Sequence, residues 1–148
     1  MSRKRSRAKV GRDPTYLDKT LEQLDGNAWG EPEYDSYVVR TIHALRKKPL
    51  LALSDEEVRL ALSQQVGLPW IIELTMLRLE EDPFRSGDFH EGDVLATALR
   101  LSPNFWARQP DLAARLKTLV MAVDAATLRF EQDQQRELRV ALRAYLDT

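Results

Sequence analysis

The sequence contains no cysteine. That excludes a disulfide framework, a thiol nucleophile and a cysteine-built zinc site, and it suits a reducing compartment. Histidine is almost as scarce, with only His43 and His90. No apolar run approaches membrane-spanning length, and the first residues lack the hydrophobic centre of a secretion signal. The expectation is a protein that stays in the cytoplasm without membrane attachment. Strand-type alternation of apolar and polar residues between turn signals is also missing. The 148 residues are the length of one ordinary domain with its own core.

Catalytic signatures are absent too. None of the seven serines sits in a nucleophile elbow. No glycine-rich loop with Lys-Ser or Lys-Thr precedes a helix, so a phosphate cradle is unsupported. Asp88, His90 and Asp93 lie close together in an acidic loop, but their spacing matches no standard metal site. His43 falls one turn after Val39, a position that suits the edge of a core better than a ligand. The expectation is a binding protein, with no catalytic residues, no cofactor and no metal.

What the chain does have is charge, unevenly placed behind a net of −1. Residues 1–12 carry Arg3, Lys4, Arg5, Arg7, Lys9 and Arg12 and no acid. With so little apolar content, that stretch reads as a disordered basic tail. Residues 54–93 hold ten acids against Arg59, Arg78 and Arg85. Such an acidic middle favours a basic partner.

From Asp13 to the end, apolar residues recur at helical spacing. Asp13-Pro14 predicts an N-cap and first helical residue, with Tyr16, Leu17, Leu21 and Leu24 on one face and Gly26 as the stop. A second helix is expected from about Ser36 to Lys47. Ser54 and Glu57 form a capping box for a third, which runs to Gly67. The segment from Pro69 to Asp82-Pro83 is apolar nearly all round, as in a helix buried on most sides. A polar loop over 83–92 leads to a short helix opened by Gly92 or Asp93, and Ser102-Pro103 starts another. One stripe, Leu112, Leu116, Leu119, Val123 and Phe130, continues through Leu138, Leu142 and Tyr145, with a bend allowed at 131–137. The fold class predicted is all-α, a single helical bundle of about six to seven helices over 13–148.

The rhythm Ser54–Gly67–Asp82 is also that of a helix–turn–helix. The would-be recognition helix, however, carries Glu73, Glu80, Glu81 and Asp82 against Arg78, which would repel it from a major groove. Two packed core helices are the better reading. Trp70 is expected in the core. Trp29 and Tyr34, in a loop with Glu31, Glu33 and Asp35, are expected either to lid the core or to anchor an interface.

An ordered series of short matches then adds a family. It begins with Leu21-Glu22-Gln23-Leu24 and Trp29-Gly30-Glu31-Pro32. It continues through Ser36-Tyr37-Val38-Val39-Arg40 and His43-Ala44-Leu45-Arg46-Lys47-Lys48-Pro49-Leu50. Gly67-Leu68, Leu79-Glu80, Asp82-Pro83, Gly87-Asp88-Phe89, Gly92-Asp93-Val94-Leu95 and Phe105-Trp106 complete it. Over roughly residues 17–106 this series resembles immunity proteins of contact-dependent growth inhibition. Glu73 and Glu91 depart from the pattern, standing where a proline is common.

The resemblance implies a protein that binds the toxic C-terminal domain delivered by a neighbouring cell and blocks its active site or access to substrate. The acidic middle suggests a basic, nuclease-type toxin. The expected toxin-binding residues are Glu80, Glu81, Asp82, Asp88 and Glu91, with Glu31, Glu33 and Tyr34 as a second patch. Charge reversal at Glu80 and Glu81 is expected to leave the fold intact. The oligomeric state expected is a monomer or weak dimer.

The alternative is a nucleic-acid-associated helical regulator that uses the basic tail. Deleting residues 1–12 separates the two: an antidote keeps protecting cells, whereas a regulator loses its salt-dependent binding to polyanions.

Overall fold

A computed structural model describes residues 15–127 and 136–147. The basic tail, the Asp13-Pro14 cap, Phe130 and most of the expected bend at 131–137 lie outside the described residues. Within them the chain forms eight α-helices and one 3₁₀ turn, and no strand. The helices are α1 (Leu21–Asp25), α2 (Tyr37–Leu45), α3 (Asp55–Gln64) and α4 (Leu68–Glu81), then α5 (Asp93–Leu99), α6 (Pro103–Ala107), α7 (Pro110–Thr127) and α8 (Arg136–Leu146). Leu50–Ala52 make the 3₁₀ turn before α3.

Helix starts follow side-chain capping. Ser36, Ser54 and Ser102 each accept a hydrogen bond from the amide three residues on, and the Ser54–Glu57 box closes in both directions at 3.1 and 2.9 Å. A second box, Thr20 with Gln23, moves the start of the first helix from the expected Asp13 to Leu21. The reason lies in the backbone. The carbonyls of Leu17 and Lys19 accept from the amides of Leu51 and Leu50, so they are taken by a tertiary contact instead of a helical ladder. Tyr16 and Leu17 therefore sit in a turn and pack on the core from there.

The short α5 occupies the centre. All seven of its residues are buried, which explains how so brief a helix persists: isolated helices below about 12 residues are marginal in water, and burial supplies the difference. α3 and α8 flank it, α4 packs on both α3 and α5, and α7 covers α4. Ile71, Ile72, Leu74, Thr75, Met76 and Leu79 of α4 are buried, as its nearly all-round apolar pattern requires. This burial also disposes of α4 as a groove-reading helix. Trp70 is half-buried against the core. The C-terminal stripe packs on the chain's own core, with Leu138, Ala141 and Leu142 buried.

Gly92 joins the polar loop to α5. Its φ of +79° lies in the left-handed region, and a Cβ there would stand 2.6 Å from Leu138 Cδ2. Gly92→Ala should therefore destabilise the protein by about 2 kcal/mol through backbone strain and overpacking against α8. In urea titrations, Gly92→Ala combined with Leu138→Ala should cost clearly less than the two single changes added together. Strict additivity would mean that α8 does not press on this turn.

Candidate functional site

Two loops present side chains to solvent, and each is fastened by a buried arginine. The first spans residues 26–36, between α1 and α2. Trp29 is its inward plug. The Arg46 guanidinium, in a residue only 2% exposed, lies 4.3 Å from the indole centroid, and His43 meets the same ring edge-on at 5.0 Å. Arg46 also grips Asp25 through two nitrogens at 2.8 and 3.1 Å and bonds the carbonyl of Asn27. His43 Nδ1 lies 3.0 Å from the Gly30 carbonyl, and Lys47 links Glu22 with the Trp29 carbonyl. The hydrogen bond from Arg46 holds the Asp25 carboxyl below its usual range. Beyond this plug the chain turns outward. Glu31, Glu33, Tyr34 and Asp35 are exposed, Tyr34 by 71%. Of the two loop aromatics, Trp29 is the lid and Tyr34 is the one offered to solvent.

The second loop, residues 83–92, wraps around α3. Arg59 is buried and holds Glu56 in a two-pronged pair at 2.7 and 2.6 Å. Glu56 Oε1 accepts the amide of Asp88 at 2.9 Å. Asp93, also buried, accepts the amides of Gly87, Phe89 and His90. Gly87 is required here by proximity, since a Cβ would land on Glu56 Oε1. Phe89 lies over the Arg59 guanidinium at 4.3 Å yet remains 72% exposed. Asp93 therefore organises the loop through amide donors, and His90 turns its Nδ1 to the Glu91 carbonyl. Among the described residues no three carboxylate or imidazole groups gather as a metal site.

The eight acids and aromatics expected to meet a partner separate into three places. Glu31, Glu33 and Tyr34 stand on the first loop, and Asp88 and Glu91 on the second. An open groove of about 640 Å³ runs between α2 and α3, lined by Tyr37, Arg40, Lys48, Glu57 and Asp88 among others. It brings the second loop alongside the start of α2, directly after the first loop. Glu80, Glu81 and Asp82 form the third place, and their side chains are engaged. Glu80 binds Arg115 of α7 at 3.0 and 2.5 Å, Glu81 pairs with Arg85, and Asp82 caps the amide of Phe84. Glu80 ties α4 to α7 through a partly exposed ion pair, so reversing its charge removes a contact worth about 0–1 kcal/mol.

Sequence reasoning passed over Tyr37, Val38 and Phe89, which are exposed apolar groups beside the acids of the two loops. Phe89 carried a signal: an aromatic with no helical partner inside a polar, glycine-containing loop. Tyr37 gave none, because it looks like any first-turn helical residue.

The family model of CDI immunity proteins matches residues 23–116, a stretch that contains both loops, both buried arginines and α2 through α6. The chain belongs to the CDI immunity proteins. No curated protein and no solved structure matches it. The role of this immunity protein is thus protection against a CDI toxin, which it binds. Both loops and the groove lie within the matched stretch, whereas α8 lies beyond it. No helix among the described residues is long and apolar enough to cross a membrane.

The Glu56 carboxyl is held below its usual value of 4.5, first by the Arg59 hydrogen bonds, against the opposing effect of burial, and then by the Asp88 amide. A carboxyl lowered on folding stabilises the protein fully above its unfolded value, and that contribution disappears as pH falls through the lower folded value. Melting temperature should therefore drop on acidification below about pH 4.5, and Glu56→Gln should flatten this part of the curve. Superimposable acid limbs for the variant and the parent protein would remove Glu56 from the account.

Proposed function

We propose that this immunity protein neutralises a basic, nuclease-type toxin domain by covering its active site or its path to substrate with the two fastened loops. The observation that carries the reading is their composition together with the start of α2: Tyr34 and Phe89 of the loops and Tyr37 of α2 are exposed beside Glu31, Glu33, Asp88 and Glu91. Exposed aromatics on rigid supports supply area at little cost in side-chain entropy, as interface hot spots do. Carboxylates around them attract the cationic surface that a nuclease needs for phosphate, which speeds encounter. Glu80, Glu81 and Asp82 serve this scheme as a secondary rim. The work is stoichiometric binding without catalysis, by a monomer or weak dimer. The cytoplasm, where a nuclease meets its substrates, is the compartment this mode of action requires. The alternative of a nucleic-acid regulator rests on the basic tail of residues 1–12, and deleting that tail separates the two readings.

The test is co-expression with the toxin domain encoded beside the gene, followed by co-purification and association kinetics. One-to-one binding with rescue of growth is expected. Glu33→Lys combined with Asp88→Lys should slow association by about tenfold at low salt and much less at high salt. Phe89→Ala and Tyr37→Ala should instead speed dissociation. Association rates indifferent to the charge reversals would exclude these loops as the docking face.

A further inference from the structure

A second concave region lies away from both loops, where the end of α5, α6 and α7 meet α8. It is a cleft of about 580 Å³, within the range of roughly 300–1,000 Å³ typical of small-molecule sites. Its floor is apolar: Leu99, Leu101 and Trp106 are buried there. On the α8 side, Ala141 and Ala144 leave a trough where larger side chains would fill the space. The charged residues on its wall are both cations, Arg100 and Lys117, and no acid lines it. Neither makes an ion pair with another described residue. The indole N–H of Trp106, in a residue 7% exposed, has no hydrogen-bond partner.

A buried donor left without an acceptor costs on the order of 1–3 kcal/mol, and an unshared pair of cations beside an apolar trough is one half of an electrostatic match. We infer that the cleft is a binding site for a small amphipathic carboxylate, with an unbranched acyl tail in the trough and its head paired with Arg100 and Lys117. The largely apolar lining, with the rings of Trp106 and Tyr145 among aliphatic side chains, and the small Ala141 and Ala144 favour a flexible chain over a second protein surface. None of the cleft residues lines the groove between α2 and α3, so the site is independent of the toxin reading.

The probe is dodecanoate below its micellar concentration, titrated calorimetrically into the full chain, with dodecyltrimethylammonium as the same tail under a cation. Saturable one-to-one binding of dodecanoate is expected, with the cationic analogue weaker by about tenfold or more. Arg100→Gln combined with Lys117→Gln should lower carboxylate affinity about tenfold, and Ala144→Trp, which fills the trough, should abolish it. The double glutamine variant changes surface heads only, so it remains informative if Ala144→Trp fails to fold. All of these variants should bind toxin as the parent does. No saturable heat, equal affinity for the two head groups, or an unaffected double glutamine variant would each overturn the assignment.

Discussion

The guanidinium of Arg59 is the interaction on which the rest of the arrangement turns. Burying an arginine is unfavourable unless its charge and donors are met. Here Glu56 meets it edge to edge, Asp93 stands 4.0 Å away, and Phe89 covers its face. The two carboxylates are in turn satisfied by four amides of the 83–92 loop. One buried cation on α3 thereby dictates the path of a whole loop and the point at which α5 enters the core. Arg46 does the same for the other loop, with Asp25, the Asn27 carbonyl and Trp29 in the corresponding roles. Arg59 sits on α3 and Arg46 caps the end of α2, and each combines an ion pair with an aromatic face.

This economy of charge changes how the acidic middle should be understood. Of its ten acids, Asp55 is held by Arg78 and Arg85, Glu56 by Arg59, Glu57 by Lys48, Glu80 by Arg115 and Glu81 by Arg85. Asp93 faces amides. Much of the formal charge is therefore cancelled at close range, and it contributes little to the field felt by an approaching molecule. Glu31, Glu33 and Asp88 lie on the two loops, where aromatic groups are exposed as well.

Most of the fold was legible because local chemistry and tertiary packing agree. The Ser36, Ser54 and Ser102 caps, the Pro69 start, the stop at Asp82 and the buried character of α4 were all readable from residue type and period. The first helix was misplaced because the carbonyls of Leu17 and Lys19 bond to Leu51 and Leu50, some thirty residues further on, and no local pattern announces such a contact. The site was legible only in outline. Composition marks both loops as polar and acidic, but nothing local says that Trp29 turns inward while Tyr34 turns out. Nor does it say that Asp93, apparently a ligand candidate next to His90, is a buried acceptor for three amides.

The way the loops are fastened separates two kinds of residue that proteins often confuse. Arg46, Trp29, Arg59, Glu56 and Asp93 hold the backbone, whereas Tyr34, Glu33 and Asp88 project from it and support no element of the core. Under the proposed docking by these loops, drift at the projecting positions changes which adversary is recognised while the scaffold keeps its margin of stability. An arms race between toxin and antidote rewards that division of labour. A new specificity is reachable by a few surface replacements, without an intermediate that fails to fold.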